Sequence, residues 1–376
     1  MENQGKGSSE PKGSKELVEE VINAGLCTLC GACAGSCPYL VSYKGKIVHM
    51  DNCTLEEGQC YQYCPRTYLD MDEISQKIFG TPYSQDEFGT TEEVLIARSN
   101  SPSIRNTAQY GGYVTTLMSL AMAEGLIDSA ALTKTDDDKA PKAVLAKNTD
   151  EVLQCAGSNY MACSVLEVLN KIPEDSDQKV GLVGTPCQVL AISKMKNRPP
   201  KNRANIANTR LVIGLFCTWA LSQREFYGFL KENLNLPKVK KFDIPPPPAN
   251  IFEAYTDTGK MQFGLDQVRA FAMPTCAYCL DMTSEFADIS VGAVEGIEGW
   301  NTVIIRTDVG KQLIEMAKKQ DKIETNTLPA ENLAHLKEAS LLKKKRALNE
   351  IVRRTGDKRN LLYLNLSPKY VERLLD

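Results

Sequence analysis

The chain has 376 residues, of which 43% are hydrophobic and 24% are charged, and its formal net charge is −3. This is the ordinary composition of a soluble globular protein, which excludes disorder along the whole chain. At ~150 residues per domain the length suggests two or three domains, and the small negative charge gives no general case for nucleic-acid binding.

Two residue counts are unusual, because the chain has 13 cysteines and only 2 histidines. Residues 1–16 lack the apolar core of a secretory signal, so we predict a disordered lead-in and a cytoplasmic protein. The longest apolar run, 211–221, is too short for a membrane span of ~20 residues. Because the cytoplasm disfavours disulfides, clustered cysteines predict metal ligands. All-sulfur ligation favours iron–sulfur clusters or zinc, and the shortage of histidine disfavours a histidine-based triad.

The first cysteine motif is Cys27-x2-Cys30-x2-Cys33-x3-Cys37-Pro38, which has the spacing of a bacterial ferredoxin. In such a run three cysteines bind one [4Fe–4S] cluster and the fourth usually serves another cluster. Gly31 and Gly35 allow the chain to wrap closely. The alternatives are a zinc knuckle or a cysteine-rich loop without metal.

An incomplete copy of this motif follows at residues 53–65, where Gly58-x-Cys60-x3-Cys64-Pro65 matches. Glu57 occupies the position of the middle cysteine, and Cys53 lies one residue too early. By the ferredoxin pattern, the first cluster has four thiolate ligands: Cys27, Cys30, Cys33 and Cys64. Three cysteines remain for a second cluster: Cys37, Cys53 and Cys60. The fourth ligand of the second cluster is Glu57, water or nothing, and the alternative is a vestigial site without metal.

Residues 95–320 alternate strand-like and helix-like runs, which predicts an α/β domain. The predicted strands are Val180–Val183, Leu211–Phe216, Ala287–Val294 and Thr302–Thr307. The predicted helices are a segment from Gly111-Gly112 to Glu124, Gln188–Lys196, Ser222–Asn233 and Asp308–Lys319. Cys187 and Cys217 each fall where a strand gives way to a helix. If these strands are parallel, both cysteines lie at the carboxyl edge of the sheet, where open α/β folds place their ligands.

The tail, residues 321–376, is predicted to be helical and basic. Residues 337–359 carry nine basic and three acidic side chains, whereas 51–93 carry two basic and ten acidic ones. The run Lys343–Arg346 with Arg353-Arg354 suits a nucleic-acid patch, a clamp for an anionic cofactor or a solvated helix face, and the last is the commonest. The opposite charge of residues 51–93 indicates instead a docking or internal contact with the tail.

Further motifs follow the ferredoxin run in a fixed order: Gln109–Leu117, Gly157–Tyr160, Gly184–Gln188, Phe216-Cys217, Cys276–Cys279 and Ala287–Gly292. Over about residues 25–320 this ordered set resembles the β subunit family of coenzyme F420 hydrogenases and dehydrogenases. Members of that family carry FAD and [4Fe–4S] clusters and pass electrons between a partner enzyme and F420. The tail matches no part of the pattern.

The resemblance implies an oxidoreductase of the α/β (α+β) class with two to three [4Fe–4S] clusters and FAD. Its expected parts are a ferredoxin-type module over 17–90, a mixed α/β flavin-binding domain over 91–320 and a helical basic tail over 321–376. Expected partners are coenzyme F420 or a related hydride carrier, and a hydrogenase, dehydrogenase or ferredoxin-linked subunit. No catalytic acid, base or nucleophile is expected among the side chains. The alternatives are an electron-transfer subunit without its own substrate site, and a ferredoxin-dependent reductase of a tetrapyrrole.

A third cluster site is expected in the α/β domain. Cys276-x2-Cys279 is half of such a site, in a loop after Met273-Pro274. With Cys187 and Cys217 it supplies four thiolates from three loops at one edge of the sheet, which we expect to be the cluster nearest the flavin. The alternative is that Cys187 and Cys217 are buried as small apolar residues.

The flavin site is predicted at the glycine turn before the helix that ends near Glu124. A helix N-terminus presents free N–H groups to a phosphate. The chain has no G-x-G-x-x-G motif, and from the residues alone such a turn is usually only a turn. With the resemblance we expect FAD to contact Ser103, Arg105, Asn106, Thr107, Gln109, Gly111, Gly112, Gly157, Ser158 and Tyr160.

Overall fold

The structure is a computed structural model that describes residues 11–136, 139–198, 204–245 and 249–375. The strands are β1 (Leu40–Tyr43), β2 (Lys46–His49), β3 (Leu69–Asp70), β4 (Glu93–Ser99), β5 (Ser129–Thr135), β6 (Pro141–Ala146), β7 (Val180–Gly184), β8 (Thr209–Leu215), β9 (Val239–Asp243), β10 (Ile251–Thr256), β11 (Gly259–Gly264), β12 (Ile289–Ala293), β13 (Asn301–Ile305), β14 (Ile323–Thr327) and β15 (Leu364–Asn365).

The α-helices are α1 (Ser14–Leu17), α2 (Gln59–Gln62), α3 (Met71–Phe79), α4 (Pro102–Thr107), α5 (Tyr113–Ala123), α6 (Thr149–Leu153), α7 (Pro186–Asn197), α8 (Ala204–Ala207), α9 (Gln223–Asn233), α10 (Leu265–Arg269), α11 (Asp308–Lys319), α12 (Ala330–Thr355) and α13 (Pro368–Leu375). A π-helical turn spans Val18–Ile22, and 3-10 turns span Val165–Lys171, Leu236–Lys238 and Pro274–Tyr278.

A central sheet of eight strands has the order β14-β4-β13-β12-β8-β7-β5-β6. The four strands β5, β7, β8 and β12 run parallel to one another, and the outer strands pair antiparallel. Ile213 of β8 lies opposite Val183 of β7 and Ile289 of β12. The predicted mixed α/β fold is therefore confirmed, and the parallel strands share one carboxyl edge.

Apolar residues on both faces of the sheet build two cores, because successive strand residues point to opposite faces. In β8, Leu211 and Ile213 pack into the core that contains α5 and α11. Val212, between them, packs into the core that contains α7, α12 and α13. The parallel strands are thus covered on both sides, as parallel strands usually are.

The predicted helices differ from the observed ones mainly at their ends. The helix predicted from Gln188 begins at Pro186, because Thr185 caps it and proline suits the first helical position. The helix after Ser222 begins as predicted, with the Ser222 hydroxyl accepting a hydrogen bond from the Glu225 amide at 3.5 Å. No α-helix follows Tyr160 directly, where Met161 pairs with Leu221 as an isolated bridge.

The N-terminal module packs around its own small apolar cluster. Its first helix begins at Ser14, inside the segment predicted as lead-in over 1–16, because Leu17 and Val21 are buried in that cluster. Residues 1–10 of that prediction lie outside the described residues. A separate three-stranded sheet, β11-β10-β9, packs on α9. In the described part of the chain no helix is long and apolar enough to span a membrane.

The tail packs against the acidic segment 51–93, as the charge pattern predicted. Leu364 of β15 lies opposite Leu69 of β3, and the Tyr370 ring lies 6.3 Å from the Tyr83 ring. The ion pair between Lys337 and Glu87 contributes little to this contact, because it is exposed and 3.9 Å long. Strand pairing, aromatic packing and the buried hydrogen bonds of Arg66 with Tyr363 and of Lys344 with Tyr83 hold the tail in place.

Candidate iron–sulfur and cofactor site

Four cysteines of the N-terminal module lie together, and we call them the N-terminal thiol group: Cys27, Cys30, Cys33 and Cys64. All four line one small cavity, which is closed on its other sides by apolar residues such as Leu17 and Val21. Burial raises the pKa of Cys27 to about 11 and that of Cys30 to about 12. Burial also raises the pKa of Cys33 well above its usual range, and the neighbouring thiols Cys30, Cys64 and Cys27 raise it further.

The loop that carries Cys27–Cys33 is held by close docking on the α/β domain. Gly31 has a φ of +91°, and a Cβ there would lie 2.6 Å from the Ser164 oxygen and 2.7 Å from the Glu167 nitrogen. The Asn170 amide donates to the carbonyl of Ala34 at 2.7 Å. Only glycine tolerates both the positive φ and this approach, so the geometry of the loop depends on residues 164–170.

A second set of three thiols, the outer thiol group, consists of Cys37, Cys53 and Cys60. Burial raises the pKa of Cys60 to about 11, and Cys37 and Cys53 are close enough to raise it as well. The Glu57 side chain is exposed and accepts a hydrogen bond from the Gln62 amide at 2.5 Å. The structure therefore brings the three thiols together and places the Glu57 carboxylate on Gln62.

The carboxyl edge of the central sheet brings together the core thiol group: Cys187, Cys217, Cys276 and Cys279. Cys187 lies in the first turn of α7, where the Thr185 hydroxyl is 3.4 Å from its sulfur. Burial raises the pKa of Cys217, and Cys276, Cys187 and Cys279 raise it further. The other three thiols of this group therefore lie near Cys217.

The two groups of four thiols have the ligand chemistry of an iron–sulfur site. Their donors are sulfur atoms that are largely withdrawn from water, which suits iron–sulfur clusters or zinc. Among the described residues, no group of three or more His, Cys, Asp or Glu is arranged to hold a single metal ion. A [4Fe–4S] cluster makes a different demand, since four thiolates bind it through separate iron atoms.

A buried arginine, which the cysteine spacing did not indicate, lies between the N-terminal and core thiol groups. The Arg66 amide nitrogen lies 3.4 Å from the Cys64 sulfur. Its side chain donates to the Thr275 hydroxyl at 3.2 Å and lies over the Tyr363 ring at 4.8 Å. The signal in the sequence is weak, since Arg66 stands in an acidic segment and looks like an ordinary surface charge.

The solvated-face interpretation of Lys343–Arg346 is wrong for its first two residues. The Lys343 ammonium is buried and donates to the carbonyls of Cys217 at 2.5 Å and Asp281 at 2.7 Å. The Lys344 ammonium pairs with the Glu285 carboxylate at 2.5 Å, and both side chains are 1% exposed. Arg346 is exposed, as predicted. Lys343 and Lys344 are buried because α12 turns the side that carries them towards the protein interior, where Lys343 contacts the core thiol group.

A further buried cation, Lys194, lies beside the N-terminal thiol group. The Lys194 ammonium donates to the Cys64 carbonyl at 2.7 Å and to the Thr67 hydroxyl at 2.8 Å. Burial lowers the pKa of Lys194 to about 8, against the opposing effect of the Cys64 and Cys30 thiols. Both groups of four thiols therefore have a buried ammonium beside them.

The residues predicted to bind FAD come from two segments that the structure places side by side. The Gln109 amide donates to the Tyr160 hydroxyl and to the Asp243 carboxylate. Gly157, with a φ of +107°, lies beside the Thr107 carbonyl. Five of the predicted residues are exposed on this surface: Ser103, Asn106, Thr107, Gly157 and Ser158. Arg105 instead donates to the Ser99 carbonyl.

Asp243, the last residue of β9, contacts Gln109 on this surface and was not predicted from the sequence. Burial raises the pKa of Asp243, and its carboxylate also accepts from the Tyr110 hydroxyl at 3.5 Å. The Gln109 Oε1 atom is buried without a hydrogen-bond partner among the described residues. An unpaired buried acceptor is costly, which makes this oxygen a position where a ligand donor fits.

Glycine is required at positions 111 and 112 for a different reason from the predicted approach of a phosphate. A Cβ on Gly111 would lie 2.7 Å from Asn301 Oδ1, and one on Gly112 would lie 2.8 Å from Ile104 Cγ2. Both glycines are therefore required by packing within the protein, and they do not by themselves indicate a phosphate. No side chain caps the first turn of α5. Its free N–H groups are therefore available to a phosphate, which the predicted flavin site requires.

A short hydrogen-bonded path joins this surface to the core thiol group. The Leu221 amide donates to the Tyr160 carbonyl at 2.8 Å, and the Met273 amide donates to the Ala220 carbonyl at 2.8 Å. The Ala220 amide lies 3.4 Å from the Cys276 sulfur. Tyr160 and Cys276 are thus separated by two neighbouring extended segments.

Three family descriptions match this chain in the order of its parts. "4Fe-4S binding domain" matches residues 20–41, and the N-terminal and C-terminal parts of "Coenzyme F420 hydrogenase/dehydrogenase, beta subunit" match 94–170 and 177–331. The β subunit of coenzyme F420 hydrogenase from Methanothermobacter thermautotrophicus is 30% identical over 71% of this chain and 96% of its own length. The chain belongs to the coenzyme F420 hydrogenase/dehydrogenase β subunit family.

Two further proteins are similar to this chain. The coenzyme F420-dependent sulfite reductase of Methanocaldococcus jannaschii is 28% identical over 90% of this chain, which spans 52% of that protein. A chain of the F420-reducing [NiFe] hydrogenase complex from Methanosarcina barkeri superposes with a TM-score of 0.64 at 29% identity, covering 71% of this chain and 94% of that one. These relatives are oxidoreductases, so the predicted enzyme class and family are confirmed, as is a 4Fe–4S motif at the N-terminus.

Proposed function

We propose that this chain is an iron–sulfur flavoprotein that exchanges electrons between coenzyme F420 and the one-electron carriers of a partner hydrogenase or dehydrogenase. The proposal rests chiefly on one observation, the continuity between its three candidate sites. The FAD surface connects to Cys276 through Tyr160 and Leu221. The core group in turn adjoins the N-terminal group, because Cys187 is close enough to raise the pKa of Cys27 and Cys30.

The flavin would take up two electrons at a time, and the clusters would carry them one at a time. Flavin, when bound, accepts a hydride and releases electrons singly, and iron–sulfur clusters carry single electrons. The chain's own residues hold these groups in place and exclude water from them. The core thiol group would hold one cluster, the N-terminal thiol group a second and the outer thiol group a third.

The FAD assignment is supported by the uncapped first turn of α5 and by the unpaired Gln109 oxygen. Gln109 and Tyr160 would position the flavin, since their hydrogen bond ties its two contact segments together. The packing of Gly111 and Gly112 against protein atoms favours a second candidate, an electron-transfer subunit without FAD or a substrate site.

Anaerobic purification followed by flavin analysis separates these candidates. We expect the chain to carry FAD and to reduce F420 with a reduced viologen as donor. Gln109→Leu should lower flavin content at unchanged iron content, because it removes both hydrogen bonds and the free acceptor. Gln154→Leu, on an exposed surface nearby, should leave flavin content unchanged. Full iron without flavin, and no reaction with F420, would establish the second candidate instead.

A further inference from the structure

The guanidinium of Arg66 is buried between the two groups of four thiols. Arg66 is 4% exposed, and its hydrogen bonds go to the hydroxyl and carbonyl of Thr275 and to the Tyr363 hydroxyl. Thr275 directly precedes Cys276 of the core thiol group. None of these partners is a carboxylate.

A buried cation without a counter-charge is costly, and arginine does not become neutral to avoid that cost. Thiolates that bind iron carry negative charge, so an occupied site would supply what the guanidinium lacks. The position of Arg66 therefore makes sense when the cysteines beside it are thiolates.

We propose that Arg66 is the shared counter-charge of two iron–sulfur clusters, one in the N-terminal and one in the core thiol group, and that it sets the reduction potential of both. The inference rests on the proposed function, because it takes both thiol groups as cluster sites. Reduction adds one electron to a cluster and makes or breaks no bond. Because a nearby positive charge favours the more negative, reduced form, removing Arg66 makes each cluster harder to reduce.

Two buried lysines provide an internal comparison, because each lies beside only one of the groups. Lys194, 8% exposed, donates to the Cys64 carbonyl of the N-terminal group. Lys343, 3% exposed, donates to the Cys217 carbonyl of the core group. Of these three, only Arg66 has contacts on both sides: its amide lies 3.4 Å from the Cys64 sulfur, and its guanidinium donates to Thr275, the residue before Cys276.

The tail fixes the guanidinium in this position. The Tyr363 hydroxyl accepts from Arg66 and donates to the Tyr278 carbonyl at 2.7 Å. Tyr278 lies between Cys276 and Cys279, so one side chain orients both Arg66 and the cysteine loop. Tyr363 lies beyond residue 331, where the family match ends, which gives the unmatched tail a role at the clusters.

Redox titration of the reconstituted full chain, followed by electron paramagnetic resonance, tests the proposal. The signals of these two clusters are assigned first with Cys30→Ser and Cys279→Ser, each of which is expected to lack one of them. Arg66→Met should lower the equilibrium constant for reduction of both clusters about tenfold, which is a fall of ~59 mV in the one-electron reduction potential. Lys194→Met should lower only that of the N-terminal cluster, and Lys343→Met only that of the core cluster. Arg346→Met, at an exposed position of α12, should change neither.

The charge-retaining variant Arg66→Lys separates charge from shape and should keep both potentials near the wild-type values. Unchanged potentials in Arg66→Met, or a shift of only one cluster, would overturn the proposal while leaving the proposed function intact. If Arg66→Met binds no iron, iron retention in Arg66→Lys supports the counter-charge, and equal loss in both contradicts it. A wild-type chain with fewer than two clusters would instead refute the proposed function, and this inference with it.

Discussion

The N-terminal and core thiol groups each bring four cysteines together, but the chain assembles them in different ways. The N-terminal group takes Cys27, Cys30 and Cys33 from one short loop and only Cys64 from elsewhere. The core group takes its cysteines from three loops that meet because β7 and β8 are parallel neighbours. The first site therefore depends on the docking of one loop, and the second on the integrity of the sheet.

This difference means that the two sites should fail separately. The N-terminal loop touches the α/β domain at residues 164–170, where Gly31 is in direct contact. The core loops are held by strand pairing and by the cations of α12. Variants that damage one site and spare the other are the clearest way to sharpen the comparison.

The largest expected effect is the loss of a whole cluster from one site. Cys30→Ser should remove about four iron atoms per chain, because a three-cysteine loop cannot hold its cluster without the central thiolate. Iron and sulfide analysis of anaerobically purified protein measures this loss. Cys155→Ser is the matched control, since Cys155 lies outside all three thiol groups and donates to the Glu151 carbonyl. Equal iron content in Cys30→Ser and wild type would contradict the assignment of a cluster to the N-terminal thiol group.

A smaller effect is expected where the loop docks. Gly31→Ala should reduce the free energy of unfolding by about 2–5 kcal/mol, since the new Cβ meets backbone atoms at a positive φ. Gly25 has a φ of +70° but open space around it, so Gly25→Ala should show only the backbone part, ~1–2 kcal/mol. Urea unfolding gives both values. If the two variants lose equal stability, the close approach to Ser164 is not the reason for Gly31.

The outer thiol group offers a test by addition of a ligand. Glu57→Cys restores the missing ferredoxin cysteine beside Cys53 and Cys60, so it should raise iron content by up to about four atoms, or slow the loss of iron in air. Glu56→Cys adds a thiol at the neighbouring exposed position and should do neither. An identical iron content and air stability in all three proteins would favour the vestigial interpretation of this group.

The smallest effect concerns a region without cysteines, the sheet β9–β11. Burial raises the pKa of Glu253, but hydrogen bonds from Lys260, Tyr255 and Gln262 outweigh it and lower the pKa from 4.5 to about 2. The ionised Glu253 carboxylate therefore raises the free energy of unfolding. This contribution is complete above pH 4.5 and is lost as the pH falls through about 2. Glu253→Gln should therefore lose about 1–3 kcal/mol at neutral pH, and progressively less in acid.

The control for this effect is Asp257→Asn, because Asp257 pairs with Lys240 in an exposed ion pair. Its unfolding free energy should match the wild type at neutral pH. Iron content should stay constant in both variants, since neither residue lies near a thiol group. A loss of iron in Glu253→Gln would break the separation between the cysteine sites and the rest of the fold.

The sequence was sufficient for features that depend on local spacing and failed where tertiary contacts decide. The Cys27–Cys37 spacing predicted a 4Fe–4S motif, and the apolar runs ending near Cys187 and Cys217 predicted strands followed by helices, because ferredoxin loops and βα units have local patterns. The burial of Lys343 was not predictable, because a basic helix looks solvated until its neighbours are known. The same holds for Arg66, whose partners Thr275 and Tyr363 are distant in the chain.

The central claim is that the core thiol group carries electrons between the flavin surface and the N-terminal module. The most direct test adds reduced F420 to wild type and Cys279→Ser, and follows flavin bleaching together with the paramagnetic signal of the N-terminal cluster. We predict that flavin bleaches in both proteins and that the N-terminal cluster is reduced only in the wild type. Reduction of that cluster at the wild-type rate in Cys279→Ser would contradict the claim.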